Sequence, residues 1–177
     1  MARYMICYKL NGPVEEYNNQ LTHDLSTKFG VRALHDLVPP HLTIKAGFNI
    51  EDITPVEAVV AEAAKETKPS TIIFDGFGRF GDAITFIKAN YSEETKRSIE
   101  KLYAGLSQLG LEVGEQHNPT DNPHSSIARF LNQRQAIDIW SYVSTIPAPH
   151  FDCQLDNFTI LHKPTNKWEV WKEYKIG

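Results

Sequence analysis

Two short stretches of this sequence share one pattern: Pro40-His41-Leu42-Thr43-Ile44 and Pro123-His124-Ser125-Ser126-Ile127. Each has a proline, a histidine, a variable residue, a hydroxyl residue and an isoleucine, and each is typical of the start of a strand. Successive strand residues point to opposite faces, so each histidine shares a face with the hydroxyl two positions later. The pattern therefore predicts two strands that each present an imidazole beside a hydroxyl.

The two stretches belong to a longer repeat. Each is followed by a predicted helix and then by a related segment, Phe74-Asp75-Gly76-Phe77 in the first half and Leu155-Asp156-Asn157-Phe158 in the second. The copies lie about 80 positions apart, and a period of this length that occurs twice indicates two similar lobes. No linker rich in Pro, Ser or Gly separates them. We therefore predict one bilobal domain over residues 1–177, with repeat halves around 41–89 and 124–176.

Two such strands facing each other would place two imidazoles and two hydroxyls around one small cavity. This arrangement suits phosphoryl chemistry, because a neutral imidazole can accept a proton from an attacking group while an imidazolium protonates the leaving oxygen. The hydroxyls can donate hydrogen bonds to phosphate oxygens on which charge develops. The alternative is that both histidines are ordinary strand residues. The candidate catalytic residues are His41, Thr43, His124 and Ser126.

Paired His-x-Thr/Ser motifs in a duplicated chain of this length resemble the 2H phosphoesterase superfamily, above all its RNA 2′,3′-cyclic phosphodiesterases, also called 2′-5′ RNA ligase-like proteins. The resemblance extends over His41-Leu42-Thr43-Ile44-Lys45, Gly76-Phe77-Gly78-Arg79-Phe80 and His124-Ser125-Ser126-Ile127-Ala128-Arg129. It implies an α+β bilobal fold, in which two antiparallel sheets with flanking helices surround a central cleft. It also implies metal-independent hydrolysis of a 2′,3′-cyclic phosphate to a 2′-phosphate, with no cofactor.

The resemblance further assigns a role to each histidine: His124 activates water and His41 protonates the leaving oxygen. Two positions depart from the family pattern. Ser126 stands where many relatives have Thr, which is a chemically conservative change. Lys45 stands where ligase-like members often carry Arg in a longer Arg-Phe-Leu-Gly run, so the subfamily and its substrate stay open.

Four further residues are candidates for substrate binding. Lys45 shares the alternation of the first motif and could reach a phosphate, or it could be a solvated lysine at the rim. Arg129 falls on the face opposite the second histidine by strict alternation, so it is structural unless the strand is bulged. Phe48 and Phe130 could stack a base, but core packing is the favoured interpretation for both.

Gly76-x-Gly78-x-x-Gly81 spells a dinucleotide-binding fingerprint, which requires a helix directly after the glycines. Here residues 83–89 are typical of a strand, so we predict a glycine-rich hairpin and no nucleotide cofactor. The histidines outside the two motifs lack a metal-ligand spacing such as His-Glu-x-x-His. The sequence therefore predicts no metal site.

Composition limits the class of protein and its partners. The 177 residues are 41% hydrophobic and 23% charged, which is ordinary for a globular domain. No apolar run is long enough for a membrane span, and two cysteines are too few for a disulfide framework, so we expect a cytoplasmic protein without a membrane partner. A net charge of -4 without a basic stripe argues against a long duplex nucleic acid as partner. We expect a monomer that binds a small nucleotide or an RNA end with a cyclic phosphate.

Three functions fit these observations. The first is a phosphodiesterase that opens a cyclic phosphate on an RNA end or a small nucleotide. The second uses the same site on a 2′-5′-linked oligonucleotide or on the cyclic phosphate of a non-RNA metabolite, or runs in the reverse direction as an RNA ligase. The third is a noncatalytic module that holds phosphorylated RNA ends. The intact set of two imidazoles and two hydroxyls favours an enzyme, since a binding module needs no titratable pair.

Overall fold

The structure, a computed structural model, describes residues 1–111 and 118–177. These residues form five helices: α1 (Gly12–Phe29), α2 (Leu34–Leu37), α3 (Thr54–Glu66), α4 (Glu93–Ser107) and α5 (Gln133–Val143). They also form eight strands: β1 (Ala2–Lys9), β2 (His41–Ile50), β3 (Thr71–Phe80), β4 (Ile84–Tyr91), β5 (His124–Arg129), β6 (His150–Gln154), β7 (Asn157–His162) and β8 (Glu169–Lys175). None of the helices in the described part of the chain is long and apolar enough to cross a membrane.

The strands form two antiparallel sheets of four strands each. The first sheet has the order β2-β1-β7-β8 and the second the order β5-β4-β3-β6. The strands that begin with the two motif histidines, β2 and β5, are edge strands of their sheets and lie beside each other. The predicted α+β fold with two antiparallel sheets is therefore confirmed, and the two motifs meet where the sheets adjoin.

The two halves of the repeat exchange strands. Residues 41–89 contribute β2 to the first sheet but β3 and most of β4 to the second. Residues 124–176 contribute β5 and β6 to the second sheet but β7 and β8 to the first. Because each half supplies strands to both sheets, separating the halves would break backbone ladders in both.

The main hydrophobic core covers one face of both sheets. It contains side chains from the strands, such as Ile6, Tyr8, Leu42, Ile44, Phe74, Ile87 and Ile127, and from the helices, such as Val14, Leu21, Ile99 and Leu102. The opposite face of the first sheet carries a smaller cluster of Met5, Cys7 and Leu161. Thr43 pairs with Cys7, and cross-strand partners share a face. The motif side chains therefore lie on the face away from the main core, which we call the site face.

Helix α1 ties the second motif strand to the core. It ends at Gly30, whose φ of 64° is the left-handed conformation that favours glycine. In its middle, Asn18 is only 2% exposed and donates a hydrogen bond from Nδ2 to Ser125 Oγ at 2.9 Å. Ser125 lies between the motif histidine and the motif hydroxyl of β5, so this buried hydrogen bond helps to hold both in place.

The glycine-rich segment forms the predicted β3–β4 hairpin, but Gly76 and Gly78 lie inside β3 and not in its turn. Gly76 has a φ of 74° at a register shift in the β3–β4 ladder. At Gly78, an added Cβ would clash with the Phe86 ring. These glycines therefore permit a bulge and let the Phe86 ring lie directly on the strand.

Candidate active site

Both motif histidines make the same hydrogen bond. His41 Nδ1 lies 2.8 Å from the carbonyl oxygen of Pro39, and His124 Nδ1 lies 2.8 Å from the carbonyl oxygen of Asn122. A carbonyl oxygen only accepts, so Nδ1 must be the protonated nitrogen that donates. Each neutral imidazole therefore keeps its Nε2 as the nitrogen that can accept a proton.

The motif hydroxyls lie two residues farther along each strand. Thr43 Oγ1 is 4.0 Å from the sulfur of Met5, a weak acceptor. Ser126 is half-buried and pairs across the ladder with Phe86. Since a phosphate oxygen is a much stronger acceptor than a thioether, the Thr43 hydroxyl can donate to a bound phosphate.

A bulge interrupts β2 at Ile44. Thr43 and Lys45 pair with neighbouring residues of β1, which leaves Ile44 as the extra residue. Lys45 is consequently turned towards the helices: it is 4% exposed, and its ammonium lies 5.0 Å from the centre of the Tyr103 ring in α4. The expectation that Lys45 shares the face of Thr43 is wrong, because strict alternation does not hold across the bulge.

The equivalent bulge in β5 has the opposite effect on Arg129. Ser126 and Ala128 pair with neighbouring residues of β4, so Ile127 is the extra residue. The bulge shifts the alternation by one position and returns Arg129 to the face of Ser126. Both residues line a small cavity of about 20 Å³ that His41 also lines. The structure thus brings three of the candidates together at the junction of β2 and β5.

The surroundings of His41 favour its neutral form. Burial lowers the pKa of the His41 imidazole to about 4, and the nearby Arg129 and His124 act in the same direction. The hydrogen bond to Pro39 opposes this shift but does not cancel it. In the ligand-free protein at neutral pH, His41 is therefore uncharged.

The two candidate aromatic residues have different environments. Phe48 is 5% exposed and packs in the core, with its ring centre 6.3 Å from that of Tyr4, so it is not placed to stack a base. Phe130 is 69% exposed and has a φ of 59°, which is strained for a bulky residue. The guanidinium groups of Arg32 and Arg129 lie 5.0 and 5.4 Å from its ring centre. The prediction that Phe130 packs in the core is therefore wrong.

Three neighbours of His124 were not predicted from the sequence. The rings of Phe86 and Phe80 lie 4.7 and 4.8 Å from the His124 ring, and Lys88 is its cross-strand partner. The sequence of β4 does indicate that Phe86, Lys88 and Asn90 share one face, because they alternate with buried residues. The sequence alone gives no register between β4 and β5, so it does not connect this face to the motif.

Within residues 1–111 and 118–177, no group of three or more His, Cys, Asp or Glu side chains is placed to hold a metal ion. The fingerprint-like glycines of β3 lead into strand β4, where a dinucleotide-binding motif would have a helix. The described residues therefore offer neither of these two kinds of cofactor site.

Solved structures share this fold. LigT of E. coli, solved with 3′-AMP, superimposes with a TM-score of 0.66 over 99% of this chain and 98% of LigT, at 15% sequence identity. TT0787 of Thermus thermophilus gives a TM-score of 0.63 over 98% of this chain and 97% of its own, at 22% identity. Both comparisons show that the described part of the chain has the fold of these proteins.

Sequence comparison gives the family. A protein of Bacillus licheniformis that carries the name "Putative phosphoesterase" is 27% identical over 146 residues, which are 80% of this chain and 82% of the relative. A protein of Geobacillus sp. WCH70 with the same kind of name is 25% identical over 148 residues, 80% of each chain. The family model of the 2′-5′ RNA ligase superfamily matches residues 13–166. The chain therefore belongs to the 2′-5′ RNA ligase superfamily, within the 2H phosphoesterases that its paired motifs resemble.

Proposed function

We propose that the protein is a metal-independent phosphodiesterase that hydrolyses the 2′,3′-cyclic phosphate of an RNA end or a small nucleotide. The observation that carries this proposal is the matched pair of histidines, each with Nδ1 bonded to a carbonyl oxygen and Nε2 kept for proton transfer. The family and relatives named as phosphoesterases support phosphoester chemistry. The related LigT, solved with 3′-AMP, supports a nucleotide as ligand.

The reaction adds one water molecule across one P–O bond. The water oxygen attacks phosphorus while Nε2 of one neutral imidazole takes a proton from the water. The P–O3′ bond breaks, and the imidazolium of the other histidine protonates the departing O3′. The product is a 2′-phosphate with a free 3′-hydroxyl. The first imidazole then releases its extra proton to solvent and the second takes one up, which restores the starting state.

Three donors stabilise the charge that develops on the phosphate. The hydroxyls of Thr43 and Ser126 follow the two histidines on their strands, and the β5 bulge brings the Arg129 guanidinium to the same junction. Fixed donors act where negative charge increases in the transition state and so lower the barrier. Arg129 contributes a full positive charge that neither hydroxyl can supply.

The burial of His41 supports a specific division of roles. Because its pKa is lowered to about 4, His41 is the neutral partner at pH 7 and is suited to accept the proton from water. His124 then carries the proton that passes to the leaving oxygen. This assignment reverses the one that the family resemblance implies, and the leaving-group experiment in the Discussion decides between them.

The exposed Phe130 ring is the proposed platform for the base of the substrate. It follows Arg129 directly, so a base on this ring would place its ribose phosphate near the charged group. Aromatic stacking accepts any base, because every base presents a π face. We therefore expect little discrimination among the four bases.

The proposal is tested with purified protein and two substrate sets, the four nucleoside 2′,3′-cyclic monophosphates and 2′-5′-linked dinucleotides, with products resolved by ³¹P NMR. We expect the cyclic monophosphates to be converted to 2′-phosphates. Turnover of the 2′-5′ dinucleotides alone would show that the second function, on the same site, is the correct one. Binding of a 2′-phosphate without any turnover would favour the noncatalytic module.

A further inference from the structure

A second cavity opens beside His124 on the site face of the second sheet. Its volume is about 510 Å³, within the range of sites that bind small molecules. We call it the β4 pocket, and its lining includes Phe80, Phe86, Lys88, Asn90, Thr120 and Asn122. Its lining also includes Pro123, the first residue of the second motif, so the pocket borders the catalytic site directly.

The β4 pocket shares a wall with the catalytic site. The Phe80 and Phe86 rings that line it also contact the His124 ring, with centres 4.8 and 4.7 Å away. Lys88 lies directly across the β4–β5 ladder from His124, so both side chains point to the same face. A nucleotide bound in the pocket could therefore be covalently linked to one whose phosphate is held between the histidines.

The charge in the pocket is suited to a phosphate. The Lys88 ammonium lies beside Gly76, and no carboxylate within residues 1–111 and 118–177 pairs with it. The other lysine of the pocket, Lys96, is paired with Glu93 at 2.7 Å and is partly neutralised. Arg79 also lines the pocket, and its guanidinium lies 5.0 Å from the centre of the Trp140 ring. Lys88 is thus the cation placed to meet an anionic group, with a compact ammonium that suits a phosphodiester oxygen.

The remaining lining suits a nucleobase. Phe80 is 41% exposed and packs on Phe86, with ring centres 4.5 Å apart, so one aromatic face is available for stacking. The amides of Asn90 and Asn122 each offer donors and an acceptor, which can match the edge of any base. A cation, an aromatic face and amides in one cavity form a combination typical of single-stranded nucleic acid binding.

We propose that the β4 pocket binds the nucleotide next to the one that carries the cyclic phosphate, so that the preferred substrate is a single-stranded RNA end of at least two nucleotides. This inference rests on the proposed function of the same site and names its substrate class. The linking phosphodiester contacts Lys88, and the penultimate base stacks on Phe80. A pocket for one unpaired base also agrees with a net charge of -4, which disfavours binding along the backbone of a long duplex.

The test compares kcat/KM for adenosine 2′,3′-cyclic monophosphate with that for the dinucleotide ApA ending in a 2′,3′-cyclic phosphate. Stacking of one base and one phosphate contact should favour the dinucleotide on the order of 10-fold. In Lys88→Gln and Phe80→Ala the ratio of the two values should fall towards one. The ratio cancels any loss that affects both substrates equally. Lys65→Gln, an exposed lysine on α3, removes the same charge far from the pocket and should keep the wild-type ratio.

A ratio near one in the wild-type protein, or a raised ratio that both pocket variants keep, would overturn the inference. If neither substrate turns over, the proposed function fails. The pocket is then tested separately, by measuring binding affinities with calorimetry. ApA ending in a 2′-phosphate should bind on the order of 10-fold more tightly than 2′-AMP, and Lys88→Gln should remove this difference. Equal affinities for the two compounds would overturn the pocket assignment on its own.

Discussion

His41 and His124 each donate from Nδ1 to the carbonyl oxygen two residues upstream, both at 2.8 Å. In each case the residue between is a proline, Pro40 or Pro123, whose ring fixes φ and holds the carbonyl in position. The repeat has therefore preserved the orientation of the imidazole as well as its identity. This common geometry is the basis of the predictions below.

The first prediction concerns the phosphate donors. Ser126→Ala and Thr43→Val should each lower kcat on a cyclic phosphate on the order of 10²-fold, because each removes one hydrogen bond that strengthens in the transition state. Ser98→Ala, which removes an exposed hydroxyl from α4, should leave kcat unchanged. Full activity in both site variants would mean that neither hydroxyl contacts the reacting phosphate.

Arg129→Gln should reduce kcat more than Arg129→Lys, because the lysine keeps a positive charge near the phosphate while the amide does not. We expect both variants to fold, since Arg129 is exposed at the end of β5. Steady-state kinetics with circular dichroism as a folding control checks this order. Equal and wild-type activity in both would assign Arg129 a structural role.

The third prediction is the pH dependence of kcat/KM. Because burial lowers the pKa of His41 to about 4, this histidine stays neutral until the pH falls to about 4. Below that value it is protonated, and the proton acceptor is lost. The acidic limb of kcat/KM should therefore lie near pH 4, well below the value of about 6.5 for an unperturbed histidine.

NMR titration of the protein labelled with ¹³C-histidine tests whether the acidic limb of kcat/KM reports the pKa of His41. The His41 signal should change near pH 4 in the ligand-free protein, and a bound phosphate anion should move the transition to higher pH, since a negative charge favours the imidazolium. His41 titration near 6.5 in the ligand-free protein would contradict the environment described for it.

A fourth prediction separates the roles of the histidines. A nitrophenyl phosphodiester has a leaving group that needs no protonation, so it tolerates loss of the general acid but not of the general base. With His124 as the acid, His124→Ala should keep far more activity on this substrate than His41→Ala. The opposite result would restore the assignment that the family resemblance implies.

The architecture could largely be predicted from the sequence, because it follows from local patterns. The alternation after His41 and His124 placed each histidine beside its hydroxyl, and the spacing of the copies indicated two similar lobes. Helix α1 ends at Gly30, and such an end is a local signal because glycine adopts the left-handed φ more easily than other residues. The exchange of strands between the sheets was not visible, because it depends on pairing between distant segments.

The site was predicted less completely, for one physical reason. Two bulges, at Ile44 and Ile127, turned Lys45 away from the site and Arg129 towards it. A bulge is defined by what the partner strand does, so strict alternation along one strand cannot reveal it. The position of Lys88 opposite His124 could not be predicted for the same reason, because the sequence does not give the register between β4 and β5.

The requirement for metal is tested by chelation. Two imidazoles and a guanidinium can move the protons and stabilise the charge without a metal ion, so dialysis against EDTA should leave the rate on a cyclic phosphate unchanged. A large loss that a single divalent ion restores would show that the proposed mechanism lacks its main electrophile.

The most direct test of the central claim is hydrolysis of adenosine 2′,3′-cyclic monophosphate by the wild-type protein, His41→Ala and His124→Ala. Each imidazole should supply on the order of 10²–10⁴ in rate, so each variant should lose at least 10²-fold in kcat while folding normally. His23→Ala, an exposed histidine on α1, serves as the matched control and should keep the wild-type rate. Conversion to 2′-AMP with this pattern is the predicted result; wild-type rates in either motif variant would contradict two-histidine catalysis.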